Sequence, residues 1–132
     1  MSILVLDVDG KLVTNNVIPP KEITDPLRSL LRRHNLIFAS GRPYSGLKKI
    51  FSTLGKNCHA ITLNGASIYI KLSTKPLVDF ELNKEITFDI LKRIWIEENI
   101  TISAYSTSEW YIKKVNNNIL NESKLLQIKP KQ

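Results

Sequence analysis

The chain has 132 residues, 42% apolar and 23% charged, the balance of a globular domain and not of a disordered or fibrous chain. Nineteen Lys and Arg against 12 Asp and Glu leave a net charge of +7. No apolar run approaches the ~20 residues needed to span a bilayer, and the only cysteine, Cys58, excludes an internal disulfide.

The start, Met1-Ser2-Ile3-Leu4-Val5-Leu6-Asp7, meets an acid too early for a signal peptide and lacks its basic region. With a single cysteine, this points to a reducing cytoplasm. Ile3 to Leu6 is a short branched run, closed by Asp7-Val8-Asp9-Gly10, and reads as a strand buried on both faces. Pro19-Pro20 marks a loop. Asp25 before Pro26 has the form of an N-cap followed by proline in the first helical turn. Leu27, Leu30, Leu31 and His34 follow at helical spacing, with Asn35 as a left-handed stop. Leu36 to Ala39 is a second strand, broken by Ser40-Gly41-Arg42-Pro43. Leu47, Ile50, Phe51 and Leu54 form a second helical face that Gly55 ends, and His59 to Leu63 is a third strand stopped at Asn64-Gly65.

Strand, helix, strand, helix, strand predicts right-handed crossovers and a parallel three-stranded unit. Each strand is followed by a polar or glycine-containing cluster: Asp7 to Gly10, Ser40 to Arg42, and Asn64-Gly65. Ligands of open α/β sheets bind outside the carboxyl ends of the strands, so three chemically useful loops converge on one edge. Asp7 and Asp9, two apart, point to the same side. Such a carboxylate pair wants a cation or a proton between its charges. Mg²⁺ suits it, being bound through one or two carboxylates plus phosphate oxygens and water; solvated loop acids are the plainer alternative. Ser40, the open Gly41 backbone N–H and the Arg42 guanidinium suit phosphate oxygens, or else form an ordinary strand-to-helix turn. Cys58 beside His59 is too little for a metal site without a second pair.

After Ala66 the pattern changes. Ser67 to Leu72 and Leu77 to Glu81 read as a hairpin, Ile86, Ile90, Leu91 and Ile94 as a helical face, and Thr101 to Ser106 with Trp110 to Val115 as another strand pair. The rest shows no clear periodicity. Lys113–Gln132 holds five lysines and one glutamate, so most of the net charge lies there. Without interleaved aromatics it reads as a solvated end, not as a nucleic-acid surface. The expected organisation is a partial α/β core over 1–82, an incomplete α+β module over 83–115 and a basic tail over 116–132.

Leu6-Asp7-Val8-Asp9-Gly10 resembles the first motif of the haloacid dehalogenase-like phosphatase superfamily, and Ala39-Ser40-Gly41-Arg42-Pro43 is similar to its second. Ile61 to Ile68, containing Asn64-Gly65-Ala66, resembles a segment of the Cof-type sugar-phosphate phosphatase branch. The hairpin, the helix, Ile102 to Tyr105 and Trp110-Tyr111 look like the onset of that branch's inserted cap domain. The resemblance implies a Rossmann-like parallel sheet followed by the beginning of an α+β cap. It also implies a Mg²⁺-dependent phosphatase of small phosphorylated metabolites such as sugar phosphates, working through an aspartyl-phosphate. Asp7 would be the nucleophile and Asp9 the general acid and base, while Ser40 would hydrogen-bond the phosphoryl group. Asp7 and the Asp9 carbonyl would hold Mg²⁺. Gly41, Arg42, Asn64 and Lys11 would surround the substrate, with Arg42 and Asn64 at the entrance.

Two departures qualify that expectation. Lys11 stands where the family commonly has threonine; it either adds a cation near the phosphate or, the favoured reading, points to solvent. Nothing after Val115 resembles the family's third motif, a lysine, or its fourth, the acids completing the Mg²⁺ site. The chain thus resembles the N-terminal half of such an enzyme. A non-catalytic remnant that binds a phosphate ligand or a protein partner is the alternative. In the resembled fold the Asp7 strand has a second neighbour after the cap, so here Ile3–Leu6 is expected at a sheet edge, either self-associating through that strand or covered by a rearranged C-terminal segment.

Overall fold

The computed structural model describes residues 2–14, 18–55, 58–71 and 73–132. Its element order is β1 (Ile3–Asp7), α1 (Lys21–Leu31), β2 (Asn35–Ala39), α2 (Lys48–Leu54), β3 (His59–Thr62), β4 (Ser67–Tyr69), β5 (Val78–Asp79), α3 (Lys84–Trp95), β6 (Ser103–Tyr105), β7 (Trp110–Ile112) and α4 (Asn117–Leu126). Tyr44–Leu47 forms a 3₁₀ turn leading into α2, and Leu63–Gly65 another after β3.

Branched apolar runs make the main sheet, in the order β1-β2-β3-β4-β5. β1, β2 and β3 are parallel, with Val5 opposite Ile37 and Ala39 opposite Ile61. β4 and β5 return antiparallel. The parallel unit and the hairpin are as the sequence predicts, although Leu72, at the end of the expected hairpin strand, lies outside the described residues. Strand alternation sends Leu4, Leu6, Leu36, Phe38, Ala60 and Tyr69 to one face. There they pack with Leu27 of α1 and Ile50, Phe51 and Leu54 of α2. Cys58 is buried in the same core, where a thiol packs as a small apolar side chain.

Two helix boundaries differ from expectation. α1 begins at Lys21, not after Asp25, because the Pro20 carbonyl already accepts from the N–H groups of Ile23 and Thr24 at 3.1 and 3.0 Å. Pro26 therefore sits inside the helix, on an exposed turn where solvent can serve the Glu22 carbonyl it leaves without a donor. Asn35 is the first residue of β2 and not a left-handed stop; the helix ends at Arg32 in right-handed geometry. Gly55 does close α2 at φ 74.

β6 and β7 form a separate two-stranded sheet. The segment expected as an aperiodic tail contains α4. The Asn116 carboxamide oxygen caps it, accepting from Ile119 N at 3.0 Å, and Ile119 and Leu126 are buried. Two buried residues seven apart are too sparse a stripe to show as periodicity. Ile119 packs with Trp110 and Ile112 in a second small core. Beyond α4, Lys131 adds a parallel bridge to Tyr111, with Ile112 N donating to Lys131 O at 2.9 Å and Lys131 N to Trp110 O at 2.7 Å.

Candidate active site at the carboxyl ends of β1, β2 and β3

Immediately after β1 the chain folds back on itself. Leu12 N and Val13 N donate to Val8 O at 2.9 and 3.0 Å, and Gly10 N donates to Val13 O at 2.8 Å. Gly10 takes φ 74, a left-handed value at which other residues are strained. Val8, Leu12 and Val13 are buried and anchor this turn, whereas Asp7, Asp9 and Lys11 are exposed. Alternation along a strand thus carries through the turn and delivers both carboxylates to the sheet's end. Lys11 lies on the solvent side.

The second and third loops are tied to each other. Ser40 N donates to Ile61 O at 2.9 Å, Leu63 N to Arg42 O at 3.1 Å and Asn64 N to Ser40 O at 3.3 Å. Asn64 is left-handed, at φ 56, a conformation asparagine tolerates better than most residues. Its side chain lies over Gly41, where an added Cβ would stand 3.1 Å from Asn64 Oδ1. Glycine is thus the residue that lets these two loops approach.

Asp9 joins the first loop to the second. Arg42 Nε donates to Asp9 Oδ1 and Oδ2 at 3.0 and 3.1 Å, and Arg42 Nη2 to Oδ1 at 2.6 Å. Ser40 Oγ donates to Asp9 Oδ2 at 3.3 Å and accepts from Arg42 N at 3.1 Å. The Arg42 side chain is only 3% exposed and that of Asp9 46%. A buried guanidinium needs a carboxylate, and its planar fork suits one. Arg42 therefore does not line an open entrance as the resemblance implied. It lies beneath Asp9, and its Nη1 also donates to Leu125 O, at 3.5 Å, near the carboxyl end of α4. That helix end is fixed further by Lys49 Nζ donating to Gln127 Oε1 at 2.6 Å and by Leu126, which would meet a Cβ on Gly46 at 3.3 Å. Nothing in the sequence pattern announces the part played by Leu125, because it acts through its backbone.

Asp7 differs from Asp9. Among the described residues its side chain has no hydrogen bond or ion pair, and it stands exposed at the end of β1. The structure thus brings Asp9, Ser40 and Arg42 into contact and Asn64 against Gly41, while Asp7 is left open to a ligand. For Mg²⁺ the donors are right in kind, since a carboxylate and a backbone carbonyl are hard oxygen ligands. They are few in number: among the described residues no group of three or more His, Cys, Asp or Glu is placed to hold a metal. An ion that keeps several waters and shares phosphate oxygens accepts such a partial set.

With this geometry in place, comparison with known proteins is direct. The sequence profile described as haloacid dehalogenase-like hydrolase matches residues 4–131. A Buchnera aphidicola (subsp. Schizaphis graminum) protein named "Putative phosphatase" is 30% identical over 123 residues, covering 88% of this chain and 43% of its own. A second, from the Acyrthosiphon pisum subspecies, is 29% identical over 130 residues, covering 96% and 47%. A haloacid dehalogenase-like hydrolase from Bacteroides thetaiotaomicron superposes with a TM-score of 0.82 at 20% identity, over 99% of this chain and 50% of that one. One from B. subtilis gives 0.79 at 22% identity, over 96% and 49%. These superpositions show the fold, a Rossmann-like α/β core with a mostly parallel sheet. The chain belongs to the haloacid dehalogenase-like hydrolases. It spans about half the length of the relatives it matches. No helix among the described residues is long and apolar enough to cross a membrane.

Proposed function

We propose that this chain carries the nucleophile half of a phosphatase site for small phosphorylated metabolites, with sugar phosphates of the Cof-type branch the first class to try. The observation that carries the reading is the contrast between the two aspartates, Asp7 open and Asp9 held by Ser40 and Arg42. Asp7 attacks phosphorus, the bond from phosphorus to the substrate oxygen breaks, and an aspartyl-phosphate forms. Protonated Asp9 gives its proton to the departing oxygen, then as a carboxylate takes one from the water that attacks phosphorus and frees Asp7. In the arrangement seen, Asp9 accepts from both neighbours. It is set for the water step, and donating a proton requires Arg42 to slacken its grip. Asp7 and the Asp9 carbonyl would hold Mg²⁺, which when bound offsets the charge on the phosphoryl oxygens.

The expected activity is slow, below the 1–10³ s⁻¹ of ordinary enzymes, because among the described residues no third acid joins Asp7 and Asp9 in a group placed to hold a metal. Hydrolysis of an aryl phosphate in the presence of Mg²⁺ tests it. The slow reaction should vanish in Asp7→Asn with the circular dichroism spectrum unchanged, whereas turnover retained in that variant contradicts the reading.

A further inference from the structure

A polar cleft of about 120 Å³ is lined by none of Asp7, Asp9, Ser40, Arg42 or Asn64. Three stretches of chain distant in sequence meet at it: Tyr44, Ser45 and Lys48 where the 3₁₀ turn enters α2, Thr74 between β4 and β5, and Thr107 with Ser108 between β6 and β7. The Tyr44 ring is fixed in place, stacked on Tyr69 with centroids 4.1 Å apart and packed 5.8 Å from the Phe51 ring. Each of the two turns is held by the hydroxyl of a serine just before its tip. Ser73 Oγ accepts from Lys75 N at 3.2 Å, and Ser106 Oγ from Glu109 N at 3.0 Å. The hydroxyls at the tips are left over. Among the described residues those of Thr74, Thr107 and Ser108, with those of Tyr44 and Ser45, make no hydrogen bond, and the Lys48 ammonium makes neither hydrogen bond nor ion pair. Lys49 beside it differs, since its Nζ is taken by Gln127 Oε1 at 2.6 Å.

We infer that this cleft binds inorganic phosphate, at a site separate from the one proposed for hydrolysis. One ammonium and five hydroxyls can donate to the oxygens of a tetrahedral anion, and no carboxylate lines the cleft to repel it. Glu109, the acid next to Ser108 in sequence, has its carboxylate engaged by Lys131 and the Tyr111 hydroxyl. Size narrows the occupant further. Sites for drug-sized ligands run to about 300–1,000 Å³, so a cleft of about 120 Å³ takes the anion without a sugar attached. A metal cation is the wrong charge for Lys48 and would find no anionic ligand there. Because the donors come both from the main-sheet unit and from the turn between β6 and β7, bound phosphate joins the two.

The test is titration of the whole chain with inorganic phosphate in the absence of Mg²⁺, followed by amide shifts in nuclear magnetic resonance. Saturable shifts should gather at Ser45, Lys48, Thr74, Thr107 and Ser108. Lys48→Met should weaken the affinity about tenfold and Thr107→Val about threefold, as expected for a charged and a neutral hydrogen bond, each with the circular dichroism spectrum unchanged. Lys21→Met removes the same charge from an exposed position on α1 and should leave the affinity as it was. It thus separates the cleft from general attraction of anions to a chain of charge +7. No saturable shift, shifts confined to Asp9, Ser40 and Arg42, or equal weakening by Lys48→Met and Lys21→Met each overturns the inference. Asp7→Asn should bind phosphate as the native chain does, so the outcome is decided separately from the chemistry of Asp7.

Discussion

At the scale of single residues, the Arg42 pair sets the character of the site. A guanidinium at 3% exposure has no solvent to fall back on, so Asp9, Leu125 O and the turn at Ser40 hold it in common. Because Asp9 is itself 46% exposed, the pair contributes less than a fully buried one. Arg42→Ala is expected to lower unfolding free energy by about 1–3 kcal/mol through the lost charged hydrogen bonds. Arg42→Lys should recover little, since an ammonium cannot reproduce the fork. A shift in the urea midpoint of the two variants checks both statements. The sequence made Asp9, Ser40 and Arg42 legible as a constellation because each ends or follows an apolar run. It misplaced Arg42 because burial depends on α4, some eighty residues away in the chain, and local pattern contains no trace of that contact.

Elements were legible in proportion to the contrast of their apolar stripes. β1, β2, β3 and α2 are dense runs or clean helical faces ended by glycine or polar loops. α1 was shifted because Asp25-Pro26 imitates a helix start, while Pro20, whose carbonyl makes the first bonds, offers no side-chain cap. α4 escaped notice because it buries only Ile119 and Leu126. What fixes it to β6 and β7 is partly polar: Tyr105 O–H donates to Glu122 Oε1 at 2.6 Å. Burial first, and then the hydrogen bond to Glu122, hold the Tyr105 hydroxyl well above the usual tyrosine range. A raised folded-state value means the contribution is complete below the ordinary tyrosine value of about 10 and lost as pH rises beyond it. Thermal unfolding of the native protein should therefore fall more steeply above about pH 10 than that of Tyr105→Phe, and parallel curves would contradict the role given to this contact.

For the molecule as a whole, the sheet gathers three strand ends at one edge while the helices α1 and α2 cover a single face. The convergence of loops followed from strand–helix alternation and was legible. The uncovered face, on which Ile3 and Val5 are 66% and 60% exposed, was not, because a run such as Ile3 to Leu6 reads as buried on both sides, and the sequence pattern does not show which side has its partner. The central claim is that Asp7 is the residue that receives the phosphoryl group. Acetyl phosphate with Mg²⁺ examines it without requiring turnover, since acetate departs without needing a proton. Borohydride reduction and peptide mass spectrometry should then find the label on the peptide containing Asp7. The label should persist longer in Asp9→Asn, where water is no longer activated, and be absent in Asp7→Asn. Label on any other residue, or undiminished labelling in Asp7→Asn, would contradict the account.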